Sequence, residues 1–211
     1  EVESPLEPVV NWHNEPDRGY NAVKICTWDR AGLFSNIAGS FSACGLNILS
    51  AQIFTREDGI VLDTFFVTDA KTGLLADQPT REKFESLLLK VLTGGEVDFH
   101  ALIQRQRISR PLYQSLAGEH IPTRIHIDNE VSESSTVIEI ETEDRLGLLY
   151  VISQTLTELD LDISVAKICT EKGAAIDTFY VADSNGEKIR GQERHKTLER
   201  KLHAAIVGLG D

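Results

Sequence analysis

The residues of this chain best suited to chemistry are Asp29-Arg30-Ala31-Gly32-Leu33-Phe34 and, 115 residues later, Asp144-Arg145-Leu146-Gly147-Leu148-Leu149. Each stretch sets a carboxylate, a guanidinium and a glycine just ahead of an apolar pattern of helical period. A helix start carries backbone N–H groups without partners and a partial positive charge. A small anion such as an amino-acid α-carboxylate fits there. Gly32 or Gly147 lets the backbone approach a ligand or take a strained dihedral. Asp29 or Asp144 can cap the helix or receive a ligand ammonium, and Leu33, Phe34, Leu148 and Leu149 anchor the helix in the core. A plain N-cap, worth about 0.5–2 kcal/mol, and a turn glycine would account for the same residues without a ligand.

Two further positions complete the candidate site. Asn47-Ile48 and Asp162-Ile163 open the strand that follows each helix. An Asn side chain donates and accepts, whereas an ionised Asp only accepts. With Asn47 on the same edge of the unit as Asp29, copy one is expected to suit an amide partner better than copy two. The expected ligand-binding residues are therefore Asp29, Arg30, Ala31, Gly32, Leu33, Phe34, Asn47 and Ile48, and in the second copy Asp144, Leu146, Gly147, Leu148, Leu149, Asp162 and Ile163. No catalytic residue, metal ligand or cofactor is expected.

The elements that position these residues repeat with the same phase. Residues 9–13 form a short strand, 14–19 a turn, and 20–27 an alternating half-buried strand. Leu33, Phe34, Ile37, Ala38 and Phe41 fall at helical spacing, and Gly45 fits a C-terminal cap. A strand is expected over 47–55, an Asp58-Gly59 turn after it, a strand over 60–68, and a helix over 80–92. The second copy follows suit. Asn129-Glu130 stands where Asn14-Glu15 stood, and Asp177-Thr178-Phe179-Tyr180-Val181 answers Asp63-Thr64-Phe65-Phe66-Val67.

The order β-β-α-β-β-α, with helices on one face of an antiparallel sheet, predicts two α+β, ferredoxin-like units in a permuted order. Residues 9–13 would then form a hairpin with 23–26. The alternative is an exchange in which 123–128 completes copy one and 9–13 completes copy two. The expected division is an arm over 1–7, a domain over 8–95, a connector over 96–120 and a domain over 121–211. The connector carries Phe99, Leu102 and Ile103 beside Arg105, Arg107 and Arg110, with Pro111 limiting it. It reads as a solvated basic helix, or as a docking surface on the acidic body. The helix-free sheet faces and edges call for pairing between the copies or with a second chain.

Composition narrows the partners. The chain has 211 residues and a net charge of −12, with 41% hydrophobic and 26% charged residues. Nucleic-acid binding rests on basic patches, so the balance argues against it. The aromatic pairs Phe65-Phe66 and Tyr180-Phe179 could stack bases, yet they sit beside Asp63 and Asp177, and core packing is the preferred account. No apolar run reaches the roughly 20 residues of a membrane span, and no signal peptide opens the chain. A cytoplasmic protein is expected, with Cys26, Cys44 and Cys169 as buried small apolar residues and the six histidines on the surface. There is no methionine, so the expectation is a piece of a longer protein.

The doubled Asp-Arg-x-Gly-Leu-[Leu/Phe] motif, each copy followed by Leu-[Asn/Asp]-Ile and Asp-Thr-Phe-[Phe/Tyr]-Val-x-Asp, resembles ACT domains in tandem. It is most similar to the C-terminal pair of the bacterial protein-PII uridylyltransferase/uridylyl-removing enzymes, from about Pro8 onward. The family's usual proline after Asp-Arg is Ala31 in copy one and Leu146 in copy two. The resemblance implies a regulatory module that senses an amino acid, glutamine in that family, and governs uridylylation and deuridylylation of PII in nitrogen metabolism. It also implies that nucleotidyltransferase and phosphohydrolase domains lie upstream, so this stretch itself is not an enzyme. A stand-alone tandem ACT regulator acting through protein–protein contacts is the alternative.

Overall fold

The computed structural model describes residues 7–56, 58–108, 121–171 and 173–209. In chain order the elements are β1 (Val9–Glu15), β2 (Tyr20–Trp28), α1 (Leu33–Ala43), β3 (Leu46–Gln52), β4 (Ile60–Asp69), α2 (Gln78–Leu92), α3 (Phe99–Ile108), β5 (Arg124–Asp128), β6 (Thr136–Glu143), α4 (Leu148–Glu158), β7 (Leu161–Lys167), β8 (Thr170–Glu171), β9 (Ala174–Asp183) and α5 (Gln192–Gly208). The N-terminal arm, apart from Glu7, and the connector beyond Ile108, with Arg110 and Pro111, lie outside the described residues.

Strand alternation places Val23, Ile25, Val61, Phe65 and Val67 under the helices, while Lys24, Leu62 and Ile176 point to the other face. On the helix side Ile37, Ala38 and Phe41 of α1 and Ile152 and Leu156 of α4 are fully buried. The leading strand forms the local hairpin, Val9 opposite Cys26 and Trp12 opposite Val23, and β5 does the same with β6. The permuted order is therefore the one adopted. Both copies bulge at the same place, between Ile48 and Ser50 and between Ile163 and Val165.

The two four-stranded sheets meet edge to edge. The order β1-β2-β4-β3-β7-β9-β6-β5 is continuous, with β8 alongside β9. The seam is narrow: β3 and β7 pair at one position, Gln52 with Lys167. Helices α1 and α4 pack together above it.

Several boundaries differ from expectation. The third strand stops at Gln52, and Thr55 keeps only an isolated bridge to Val61. Helix α2 starts at Gln78 rather than Thr80, because Asp77 caps it by accepting from the Thr80 N–H at 2.9 Å, and Pro79 suits the first turn. Of the cysteines only Cys44 is buried; Cys26 is half-buried and Cys169 exposed. Helix α3 is not merely a solvated basic rod. Phe99 and Ile103 are buried against α1 and α4, while Arg105 faces solvent. The aromatic pairs split by strand period: Phe65 and Phe179 are core, whereas Phe66 and Tyr180 lie on the helix-free face. There Phe66 meets Tyr20 and Tyr180 lies under Lys167.

Candidate functional site

Each junction is built on a left-handed glycine. Gly32 (φ 71°) and Gly147 (φ 91°) occupy the N-cap positions of α1 and α4, with no side-chain cap. Neither aspartate serves as a helix cap. Instead the Asp29 and Asp144 backbone N–H groups donate to Gly59 and Gly173 at 2.8 Å, tying each junction to the hairpin turn of its own copy. Leu33 N–H turns back to the Arg30 carbonyl, and Leu148 N–H to that of Arg145. The next two N–H groups, of Phe34 and Ser35, have no acceptor among the described residues, which is the arrangement that takes an anion.

The arginines are engaged in the scaffold. Arg30 donates to the Leu92 carbonyl at 2.6 Å, closing the end of α2, and more weakly to Trp28 and Thr27. Arg145 pairs with Glu143 at 2.7 Å.

The copies exchange their second half-sites. Asn47 does not face Asp29 of its own copy. Its side-chain amide donates to Asp144 of copy two at 3.1 Å. Reciprocally, a cleft of about 630 Å³ is walled by residues 29–34 and Asp63 of copy one and by Thr157 and residues 161–165 of copy two. The expectation that copy one joins its own Asn47 to its own glycine is thus reversed. The reason is the β3–β7 seam, which lays the start of each strand beside the other copy's helix terminus.

The two sites differ in openness. The Gly147 site encloses only about 20 Å³, bordered by Ser42, Asn47 and Ile48 from copy one and Asp144, Leu148, Leu149 and Asp177 from copy two. Asp29 and Ala31 are exposed, whereas Leu146 and Gly147 are buried. Helix α3 is the cause. A Cβ placed on Gly147 would lie 2.9 Å from the Ile103 Cγ2 methyl, and Phe99 sits 5.4 Å from the Tyr150 ring. At Gly32 the nearest atom to such a Cβ is Thr157 Cγ2 at 3.5 Å, an ordinary contact.

Two carboxylates absent from the expected site stand on its floor. Asp63 and Asp177 are each 2% exposed and line the open and the closed site respectively. Burial pushes both up to about 7; a hydrogen bond from Phe54 N–H opposes the rise at Asp63, as one from Cys169 does at Asp177, and the charges of Asp29 and Asp144 add to it. Asp177 Oδ1 is buried without a hydrogen-bond partner. A sequence signal existed: both fall on the core register of their strands, between Val61 and Phe65 and between Ala175 and Phe179.

A stability consequence follows at Asp177. Its folded-state value lies above the ordinary 3.8, so the folded protein holds a proton that the unfolded chain has released between about pH 4 and 7. Stability therefore falls as pH rises through that window, by roughly 4 kcal/mol at most. Asp177→Asn removes the titration, and the variant gains on the parent by about 1–3 kcal/mol between pH 5 and pH 8 in urea unfolding. An equal difference at both pH values would show that Asp177 does not titrate in this way.

Known proteins share parts of this sequence. Residues 124–208 match the model described as "ACR9-like, ACT-like domain". That model covers the second copy, whose element order the first copy repeats apart from the short β8. Along nearly its whole length the chain is also homologous to bifunctional uridylyltransferase/uridylyl-removing enzymes. The protein of that name from Azospirillum brasilense is 39% identical over 204 residues, covering 96% of this chain and 21% of the relative. Those from Ruegeria pomeroyi and Rhodospirillum rubrum are each 34% identical, covering 92% of this chain and 21% and 20% of theirs. The chain thus spans about a fifth of the length of the curated relatives it matches. Among the described residues no helix is long and apolar enough to cross a membrane, and no cluster of His, Cys, Asp or Glu is placed to hold a metal ion.

Proposed function

We propose that this ACT pair is the amino-acid-sensing module of a cytoplasmic uridylyltransferase/uridylyl-removing enzyme, that glutamine is its ligand, and that occupancy biases the enzyme between uridylylating PII and removing the uridylyl group. One observation carries the reading: the open cleft has one wall from each copy across a seam paired only at Gln52–Lys167. A ligand there touches both copies at once. It favours one arrangement of the pair by its differential affinity, which is the only way binding can shift such an equilibrium. Pairing of a second chain along the outer edges, β1 or β5, belongs to the same reading.

The chemistry of the walls favours glutamine over glutamate. The α-carboxylate has the first-turn N–H groups of α1. The side-chain amide of glutamine can donate to Asp162, which as a carboxylate only accepts. A glutamate side chain would meet Asp29 and Asp162 as like charges.

Calorimetry with the twenty amino acids is the direct test. The expected result is heat from glutamine at a stoichiometry of one per chain, with glutamate silent, since the Gly147 site is closed by α3. No heat from any of them at millimolar concentration would leave the module without a sensor role.

A further inference from the structure

We propose that Asp63 is the residue that receives the α-ammonium of the bound amino acid, so that the open cleft selects free α-amino acids over otherwise identical molecules lacking the charged amine. This rests on the amino-acid reading above and assigns the half of the ligand that a helix terminus cannot recognise.

The argument begins with where Asp63 stands. It is a strand residue in the core register, 2% exposed, yet it lines the cleft beside the Gly32 junction. One carboxylate oxygen accepts from the Phe54 N–H at 3.2 Å, and the other makes no hydrogen bond to a described residue. A carboxylate removed from water with one of its two oxygens unpaired is costly unless something arrives to pair with it. An ammonium is that partner. It brings three donors and the opposite charge, and the low dielectric of the floor strengthens the pair.

The other charged groups of the cleft do not fill the role. Arg30 is held by the Leu92 carbonyl at the far end of its side chain. Asp29 and Asp162 are exposed at the rim, where water screens them. Their negative charge nonetheless repels anions that lack an amine and attracts the cationic end of a zwitterion. The α-carboxylate then lies on the N–H groups of Phe34 and Ser35. The equivalent residue in the closed site is the control supplied by the fold: Asp177 also keeps an unpartnered oxygen, but α3 and the Asn47–Asp144 bond leave no room for an amino acid.

Burial holds the empty-site carboxyl at about 7. Binding an ammonium requires it ionised. Affinity is therefore full above that value and declines as the pH drops below it. Asp29 and Asp162 carry the remaining negative charge on the cleft.

The test titrates the 211-residue chain and its Asp63→Asn variant with L-glutamine and with N-acetyl-L-glutamine by calorimetry at pH 6 and pH 8, with thermal unfolding of each protein as the fold control. The asparagine still accepts from Phe54, so the variant is expected to unfold at or above the parent temperature. Expected are glutamine binding weakened roughly tenfold or more in the variant, the worth of one charge-assisted hydrogen bond, no binding of the acetylated analogue by the parent, and loss of the parent's pH dependence in the variant. A folded variant that binds glutamine as the parent does overturns the assignment while leaving the sensor reading intact. A parent chain that gives no heat with any amino acid overturns both.

Discussion

Replacing Gly32 by valine is expected to abolish the response to glutamine while leaving the fold largely in place. Gly32 has φ 71°, in the left-handed region where a β-branched side chain is strongly disfavoured. The cost of holding valine there is about 1–3 kcal/mol, so the terminus relaxes toward another backbone conformation. That relaxation re-aims the N–H groups of Phe34 and Ser35, and the branched side chain enters the space a carboxylate would use. The contact with Thr157 is loose enough for the core to survive. Leu33→Ala should act in the opposite sense. Leu33 is 5% exposed within the core, and its truncation costs roughly 2–5 kcal/mol of stability. Calorimetry and urea unfolding on both variants separate the outcomes. Equal unfolding by both would reduce the junction to a structural turn. Gly147 differs from Gly32 because Ile103 lies against it, so Gly147→Val is expected to damage packing first.

The largest loss of stability is expected from Phe41→Ala. Phe41 is fully buried at the centre of an aromatic cluster: it stacks on Phe84 at 4.1 Å, tilts against Phe65 at 5.2 Å and receives the edge of Trp12 at 6.5 Å. These rings come from α1, α2, β4 and β1, so one side chain joins four elements. A Phe→Ala truncation at such a site costs about 3–5 kcal/mol, a large part of a typical domain's stability. The midpoint of urea unfolding should fall accordingly with little change in its slope. A loss below 1 kcal/mol would mean that the cluster closes around the vacancy.

Much of this fold was legible because its signals are local. The period of two in residues 20–27 and 60–68 and the helical spacing of Leu33, Ile37 and Phe41 are written in neighbouring residues. The hairpin of the leading strand followed from where the repeat starts. The errors fell where local signals compete or stop. The Asp77-Gln78-Pro79-Thr80 start of α2 was placed two residues late because its cap precedes any apolar residue. The burial of α3 was hidden behind its arginines, since Phe99 and Ile103 find their partners only on α1 and α4 of different copies. Asp63 and Asp177 stood on the core register of their strands, a position that marks a buried carboxylate before any coordinate is known.

By itself the sequence determined the repeat, the element order, the two glycine junctions and the residue types offered to a ligand. These depend on dihedral preferences and on periodicities within about ten residues. Only the tertiary structure decided which residues share a site. The β3–β7 seam set Asn47 against Asp144 and Asp162 beside the Gly32 cleft, and α3 closed one junction and left the other open. Those choices rest on contacts between residues far apart in the chain, such as Asn47 with Asp144 and Ile103 with Gly147. Their free energy comes from burying surfaces against each other, and no short-range pattern in either surface records its partner.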